Sequence, residues 1–314
     1  MALTQQEREG TGADGIITKS QGGFYWVRTP GGDLVCRGRG LFRKTDTVLV
    51  VGDRVTVQPT VTPGEGTIVD LLPRKNSLVR PPVANLDRLA LVVSAVQPSP
   101  NTLVMDTLTA IAAQRNIDVV LVFTKTDLGD VGELADLYGR AGFRVYAVNS
   151  LTGEGTEPLK ALFSQGLTAF CGNSGAGKSS LLNALFPGLG LATGEISRKL
   201  GRGRHTTRHV ELFAAGEGLI ADTPGFSAVD FLRFGRMLAA DLAPCFVEFR
   251  PYLDKCRFNG CSHRVEQGCA VLAAVEAGDI SQSRHSSYLA LYDQLKDIKE
   301  WQLDKPEAQG EDLP

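Results

Sequence analysis

The octet Gly172-Asn173-Ser174-Gly175-Ala176-Gly177-Lys178-Ser179 joins a glycine-rich loop to a Lys-Ser pair, the pattern expected of a loop that holds phosphates. Its glycines let the backbone N–H groups of residues 173 to 178 turn inward around phosphate oxygens, and a helix opening at Lys178 adds favourable partial charge at its N-terminus. Lys178 is expected to bridge the β and γ phosphates. Ser179 offers a hydroxyl to Mg²⁺, and Asp222, at the end of the strand Gly218-Leu219-Ile220-Ala221, is the acidic residue expected to hold the same ion through water. Ser180 and, beyond Asp222-Thr223-Pro224, Gly225 complete this phosphate-side set.

A second constellation, Thr124-Lys125-Thr126-Asp127, reads a base. The Asp127 carboxylate suits the N1–H and 2-amino group of guanine, which adenine does not present, while the stem of Lys125 lies along the base plane. A buried carboxylate left without those donors costs about 1–3 kcal/mol, enough to select GTP over ATP. Thr124 stands where the usual motif has Asn. Asn149 and Ser150 follow the next strand, at the place of the last base-contacting loop. The base-reading motif therefore precedes the phosphate loop, the reverse of the ordinary order, so the sheet is expected to be the same site built from a circularly permuted chain.

Between the two phosphate-side segments runs Ser197-Arg198-Lys199-Leu200-Gly201-Arg202-Gly203-Arg204-His205-Thr206-Thr207-Arg208-His209, with five basic residues and no acid. Its position makes it a switch: Thr206 or Thr207 is placed to coordinate Mg²⁺ when a γ-phosphate is present. Phe226 occupies the place of a water-orienting Gln, so unstimulated hydrolysis is expected to be slow, with His205 the first candidate to orient water once a partner fixes the loop. The catalytic set is thus His205, Thr206, Thr207 and Lys178.

Cys256, Cys261, His263 and Cys269 form C-x₄-C-x-H-x₅-C, four ligands in one loop-rich segment, as a closed structural zinc site requires. Cys36, Cys171 and Cys245 stand apart, and three clustered of six cysteines suit metal ligation better than a disulfide framework. Tyr288, Leu291, Tyr292, Leu295, Ile298 and Trp301 recur at helical spacing, which predicts a C-terminal amphipathic helix packed on the zinc module.

These residues need scaffolds. From Gly15 to about Lys75, short runs such as Phe24-Tyr25-Trp26-Val27, Thr47-Val48-Leu49-Val50-Val51, Arg54-Val55-Thr56-Val57 and Gly66-Thr67-Ile68-Val69, punctuated by Gly, Pro and Asp, read as a small all-β barrel of OB type. Ten basic against five acidic residues between Lys19 and Arg80, with three adjacent aromatics, are compatible with RNA backbone and stacking contacts; a solvated barrel with an aromatic core fits the same composition. From Asp87 the runs Leu89–Val93, Val119–Phe123, Arg144–Val148 and Leu167–Cys171 alternate with helical segments, the pattern of a parallel sheet covered on both faces. The expected division is a flexible tail over 1–14, an OB-fold RNA-binding domain over 15–76, a circularly permuted α/β P-loop GTPase domain over 77–238, an α-rich zinc-binding module over 239–302 and a second tail over 303–314. A net charge of −2 over 314 residues excludes a uniformly basic binder of nucleic acid. The absence of a long apolar run or a signal-like start points to a cytoplasmic protein that spans no membrane, and a monomer is expected.

The permuted motif order, the barrel before it and the Cys₃His cluster after it together resemble the RsgA or YjeQ family of circularly permuted, small-subunit-dependent GTPases. The resemblance runs from Gly15 to about Trp301 and includes Val51-Gly52-Asp53-Arg54-Val55, Arg80-Pro81-Pro82-Val83-Ala84-Asn85-Leu86-Asp87 and Gly203-Arg204-His205-Thr206-Thr207. It implies GTP hydrolysis stimulated by the small ribosomal subunit, a role in late maturation of that subunit, and ribosomal RNA as the main contact. Arg208 follows the two threonines where the family often has a third. The competing readings are an RNA-binding assembly protein for which GTP is a structural ligand and a general NTPase; intact Lys178, Ser179 and Asp222 count against the first and Asp127 against the second.

Overall fold

A computed structural model describes residues 12–45, 47–78, 81–190, 210–222 and 237–300. The chain divides into two compact units, one of Met1–Pro100, Arg115–Gly139 and Phe143–Ser227, the other of Asn101–Gln114, Arg140–Gly142 and Ala228–Pro314.

In the first unit, strands β1 (Ala13–Gln21), β2 (Phe24–Thr29), β3 (Gly32–Gly38), β4 (Arg54–Pro59) and β5 (Glu65–Leu71) pair in the order β1-β2-β3-β5-β4, and an additional β1–β4 ladder closes the barrel. All pairs are antiparallel except β3–β5, as the connectivity of a five-stranded OB barrel demands. Register shifts between Ile17 and Lys19 and between Thr56 and Val57 supply the bends that closure needs. Ile17, Val27, Cys36, Leu49, Val55, Val57 and Ile68 fill the interior, with the short helix α1 (Gly40–Lys44) contributing Phe42.

One expected strand does not form. Thr47-Val48-Leu49-Val50-Val51 carries only an isolated bridge from Val51 to Val83. Two of its backbone groups are committed to side chains: the Val50 N–H donates to Asp53 Oδ2 at 2.8 Å, and Arg74 Nη2 donates to the Val48 carbonyl at 2.6 Å. Asp53 is fully buried and is met by Arg74 Nε at 2.6 Å, so the charge is paired where it is desolvated. After a small ladder of β6 (Ser77–Leu78) and β7 (Val83–Ala84), the chain enters a second sheet region.

That region has the order β10-β9-β8-β11-β13-β12, with β8 (Arg88–Ser94), β9 (Asp118–Thr124), β10 (Arg144–Ala147), β11 (Leu167–Cys171) and β13 (Gly218–Asp222) parallel and β12 (Glu211–Ala215) antiparallel. β12 also pairs with β1 at Lys19 and Glu211, so barrel and parallel sheet are one continuous hydrogen-bonded sheet. β11 is buried at all five positions, the signature of a central strand covered on both faces. Helices α4 (Glu157–Phe163) and α5 (Lys178–Leu185) pack Leu159, Phe163, Leu181, Leu182 and Leu185 onto Val92, Val120, Val122, Phe170 and Ile220. α3 (Gly132–Arg140) connects β9 to β10.

The second unit holds α2 (Thr102–Gln114), the crossover between β8 and β9, together with α6 (Ala239–Leu242), a 3₁₀ stretch over Val247–Lys255, α7 (Ala270–Ala277) and α8 (Gln282–Leu295). The expected C-terminal helix is shorter than its periodicity suggested. α8 buries Tyr288, Leu291 and Leu295 but closes with the Lys296 N–H on the Tyr292 carbonyl, leaving Ile298 beyond it, and Trp301 lies outside the described residues.

Candidate nucleotide site and metal centre

β11 ends at Cys171, and the chain must then turn sharply around the end of β8. Gly172 does this at φ +141°, where a Cβ would lie 2.1 Å from the Val92 carbonyl oxygen, a position no other residue can take without moving β8. Gly177 at φ +91° is the left-handed residue from which α5 starts at Lys178. Within the loop the Ala176 N–H is taken by the Asn173 carbonyl at 3.1 Å, so it is not among the donors left to a ligand. Asn173, Ser174 and Gly175 are exposed, and the Lys178 ammonium folds back over the loop onto the carbonyls of Gly172 at 2.6 Å and Asn173 at 3.0 Å. Ser179 and Ser180 are half-buried in the first turn of α5.

The Thr124–Asp127 segment, the candidate base reader, meets this loop although 44 or more residues separate them in the chain. Thr124, buried at the end of β9, donates from Oγ1 to the Ala176 carbonyl at 2.6 Å. Its hydroxyl joins the two loops directly, so the residue that departs from the usual Asn makes a contact of its own. Lys125, at φ +57°, sends Nζ to the carbonyls of Gly175 at 2.8 Å and Gln97 at 2.5 Å. Gln97 carries no motif, and its backbone role had no signal in the sequence. Thr126 is half-buried; Asp127 is exposed and has no hydrogen bond or ion pair among the described residues. Asn149 is buried, and its Oδ1 accepts from the N–H groups of Leu151 at 2.9 Å and Thr152 at 3.3 Å, which fixes the third loop; its oxygen is thereby engaged in the turn. The Ser150 hydroxyl is buried and unpartnered among the described residues.

Asp222 ends β13 in register with Phe170 of β11, two residues before the phosphate loop. His205, Thr206, Thr207 and Gly225 lie outside the described residues.

The metal cluster belongs to the second unit. The ligand atoms of Cys256, Cys261, His263 and Cys269 all lie within 4.8 Å of one another. A tetrahedron with Zn–S of about 2.3 Å places sulfur atoms about 3.8 Å apart, and Cys256 Sγ is 3.9 Å from Cys269 Sγ, while His263 Nδ1 is 3.6 Å and 3.4 Å from the same two sulfurs. Burial first, and then its thiol neighbours, push the Cys261 thiol up to about 12. Thiols that resist ionisation in this way become ligands when a cation neutralises them. Burial, with His285 adding to it and Glu266 opposing it, keeps His263 below the ordinary imidazole value, in the neutral form a metal needs. Backbone N–H groups of Ala270 and Leu272, at the start of α7, reach Cys256 Sγ and Cys269 Sγ at 3.4 and 3.5 Å. The donor set fits structural zinc, with no position left open for chemistry. Glu266 pins the ligand loop by accepting from the N–H groups of Ser262 at 2.8 Å, Arg264 at 2.9 Å and Val265 at 3.1 Å. Cys245 is buried, its thiol donating to the Asp241 carbonyl at 3.1 Å.

The barrel carries a cavity of about 520 Å³ lined by Phe24, Tyr25, Arg37, Arg39, Phe42 and Leu49 among others. The Arg37 guanidinium lies 4.5 Å from the Phe24 ring centroid, and Lys19 Nζ is 5.4 Å from that of Trp26.

No helix among the described residues is long and apolar enough to cross a membrane. Residues 71–232 match the family described as RsgA GTPase, and residues 14–68 match the RsgA N-terminal domain. The chain is 44% identical over 279 residues to the small ribosomal subunit biogenesis GTPase RsgA of Moorella thermoacetica, covering 88% of this chain and 95% of that one. The protein of the same name from Geobacillus thermodenitrificans is 44% identical over 293 residues, 91% and 99% of the two chains. Among solved structures, YjeQ from Thermotoga maritima superposes with a TM-score of 0.80 at 32% identity, covering 92% of this chain and all of that one. YloQ, described as a circularly permuted GTPase, gives 0.77 at 34% identity, covering 95% and 99%.

Proposed function

The chain belongs to the RsgA GTPase family, and from that premise we propose a GTP hydrolase stimulated by the small ribosomal subunit, acting in late maturation of that subunit and released from it as GTP becomes GDP. The observation that carries this reading is the meeting of the permuted motifs. Thr124 and Lys125 reach the carbonyls of Ala176 and Gly175, so a base seated at Asp127 and phosphates cradled by residues 172–179 belong to one ligand.

In this reading GTP or GDP is bound by Thr124, Lys125, Thr126, Asp127, Asn149 and Ser150 on the base side and by residues 172–180 with Asp222 and Gly225 on the phosphate side. Mg²⁺, held by Ser179 and Asp222, neutralises phosphate charge when bound. Lys178 leaves the Gly172 and Asn173 carbonyls for phosphate oxygens, which exchanges two neutral acceptors for charged ones. His205 orients the attacking water after a partner fixes the loop carrying Thr206 and Thr207. The zinc held by Cys256, Cys261, His263 and Cys269 is structural. Ribosomal RNA is contacted by the barrel, where Phe24 with Arg37 and Trp26 with Lys19 pair a stacking face with a cation. The division at 15–76, 77–238 and 239–302, a monomeric state and a cytoplasmic location complete the proposal.

The test is GTP hydrolysis by the purified protein alone and with salt-washed small subunits, with ATP and large subunits as controls. A many-fold, GTP-specific rise with small subunits alone is the expected result; equal rates with and without them would overturn the reading. His205→Ala should lose the stimulated rate, and a variant as fast as the parent would remove His205 from its role.

A further inference from the structure

Arg284 sits in α8 with 1% of its surface exposed. Its Nε and Nη2 donate to the two oxygens of Glu248 at 2.6 and 3.0 Å, and its Nη1 donates to Asp106 Oδ1 at 2.6 Å and Thr109 Oγ1 at 3.2 Å. The guanidinium carbon lies 4.7 Å from the centroid of Phe246. Asp106 is fully buried on α2, 178 residues away in sequence. Two carboxylates and one guanidinium are thus removed from water together, and apolar side chains of similar volume would pack there without the desolvation penalty. Stability alone does not account for such a cluster. What it fixes is geometry: a planar fork donating four hydrogen bonds in set directions restricts the axial and rotational setting of α2 against α8 and Glu248.

α2 is also the direct continuation of the nucleotide loops. Asn101 caps it, its Oδ1 accepting from the Val104 N–H at 3.1 Å. Just before it runs the segment 95–100, whose Gln97 carbonyl accepts from Lys125 Nζ at 2.5 Å and from Ser94 Oγ at 3.0 Å. One turn further along α8, Tyr288 Oη donates to the Ser262 carbonyl, and next to Arg284 His285 Nε2 donates to the His263 carbonyl, both at 2.8 Å, so α8 grips the loop of the Cys/His cluster.

We propose that Asp106, Arg284 and Glu248 are positioning residues that make α2 a shared element, carrying rearrangement of the loop at Gln97 and Lys125 to the zinc-bearing segment. This rests on the nucleotide reading above. When a guanine nucleotide engages Lys125, the contacts of Nζ with Gln97 and Gly175 change, the segment 95–100 adjusts, and α2 moves with it. The guanidinium fork passes that displacement to α8 and on to Ser262 and His263. None of these residues touches nucleotide.

Hydrogen exchange by mass spectrometry tests the route without ribosomes. In the parent, saturation with a non-hydrolysable GTP analogue should change exchange in α2 and α8 together. In Arg284→Lys, which keeps the charge but loses the fork, melting should fall while the protein remains folded with near-parental zinc content; the α2 response should persist, while the α8 response falls roughly threefold or more. A purely structural role would not separate the two responses. An undiminished α8 response in the folded variant, or a parent in which α8 does not respond, would overturn the proposal. If Arg284→Lys does not fold, the charge-free triple variant Arg284→Met/Glu248→Leu/Asp106→Leu is read the same way. A parent that binds no GTP by calorimetry overturns both readings, whereas one that binds GTP but is not stimulated by small subunits overturns only the functional one.

Discussion

Thr124→Val isolates the contact that joins the two halves of the proposed nucleotide site. Valine matches threonine in shape but removes the hydroxyl, and the structure gives that hydroxyl one close acceptor, Ala176 O at 2.6 Å, with Val93 O at 3.4 Å. A methyl group cannot occupy the same place, because carbon-to-carbonyl contacts settle near 3.3 Å or more. The phosphate loop at Ala176 must therefore retreat by about 0.7 Å, the gap between that contact and the hydrogen bond it replaces. Thr124 and Ala176 are both about 1% exposed, so the carbonyl also loses its partner away from water, at about 1–3 kcal/mol. Because the nucleotide needs the loop in its joined geometry, that amount should appear in binding as a rise in Kd of roughly 5- to 150-fold. Titration with a fluorescent GDP analogue reads the effect, and urea unfolding with an unchanged slope confirms the fold. Thr124→Ser keeps the hydroxyl and should bind within about twofold of the parent. A Thr124→Val protein that binds like the parent, or a Ser variant impaired as badly as the Val one, would refute the reasoning.

Gly172→Ala should abolish nucleotide binding, since its Cβ would fall 2.1 Å from Val92 O and its left-handed backbone adds about 1–3 kcal/mol of strain; normal GDP binding by calorimetry would count against the loop geometry. Cys269→Ser should lose close to one zinc per chain by metal analysis, and melting of the second unit should shift to lower temperature, because metal binding here is folding energy. For Asp87, burial raises the pKa, but the Lys75 ammonium, the Leu167 N–H and the charge of Arg88 outweigh it and leave it below the ordinary carboxylate value. A lowered folded pKa contributes stability that is present above the unfolded value of about 4 and is lost as pH falls through the folded one. Asp87→Asn should therefore unfold more easily than the parent at pH 7 and by a smaller margin near pH 3, and parallel denaturation curves with a pH-independent gap would refute this.

The candidate motifs were legible in the chain because they depend on local spacing. A phosphate loop is eight consecutive residues whose glycines and Lys-Ser pair work through their own backbone, and the four metal ligands span 14 residues, so both could be read without knowing the fold. Barrel and parallel sheet were legible as classes, since alternating and continuous apolar runs answer to burial on one face or two. Tertiary structure decided what depends on partners remote in sequence. Thr47–Val51 has strand composition but is held out of a ladder by Asp53 and Arg74, side chains whose positions are set by the closed barrel. Thr124 was read as a departure from a motif, and only the fold supplies the Ala176 carbonyl that gives its hydroxyl a role. Within the grouping of α2 with the C-terminal segments, Arg284 meets Asp106, two isolated charges in helices that no periodicity or motif connects. A buried ion pair across 178 residues is specified by the cost of leaving either charge alone once the chain has folded, and that cost does not exist in any local stretch of sequence.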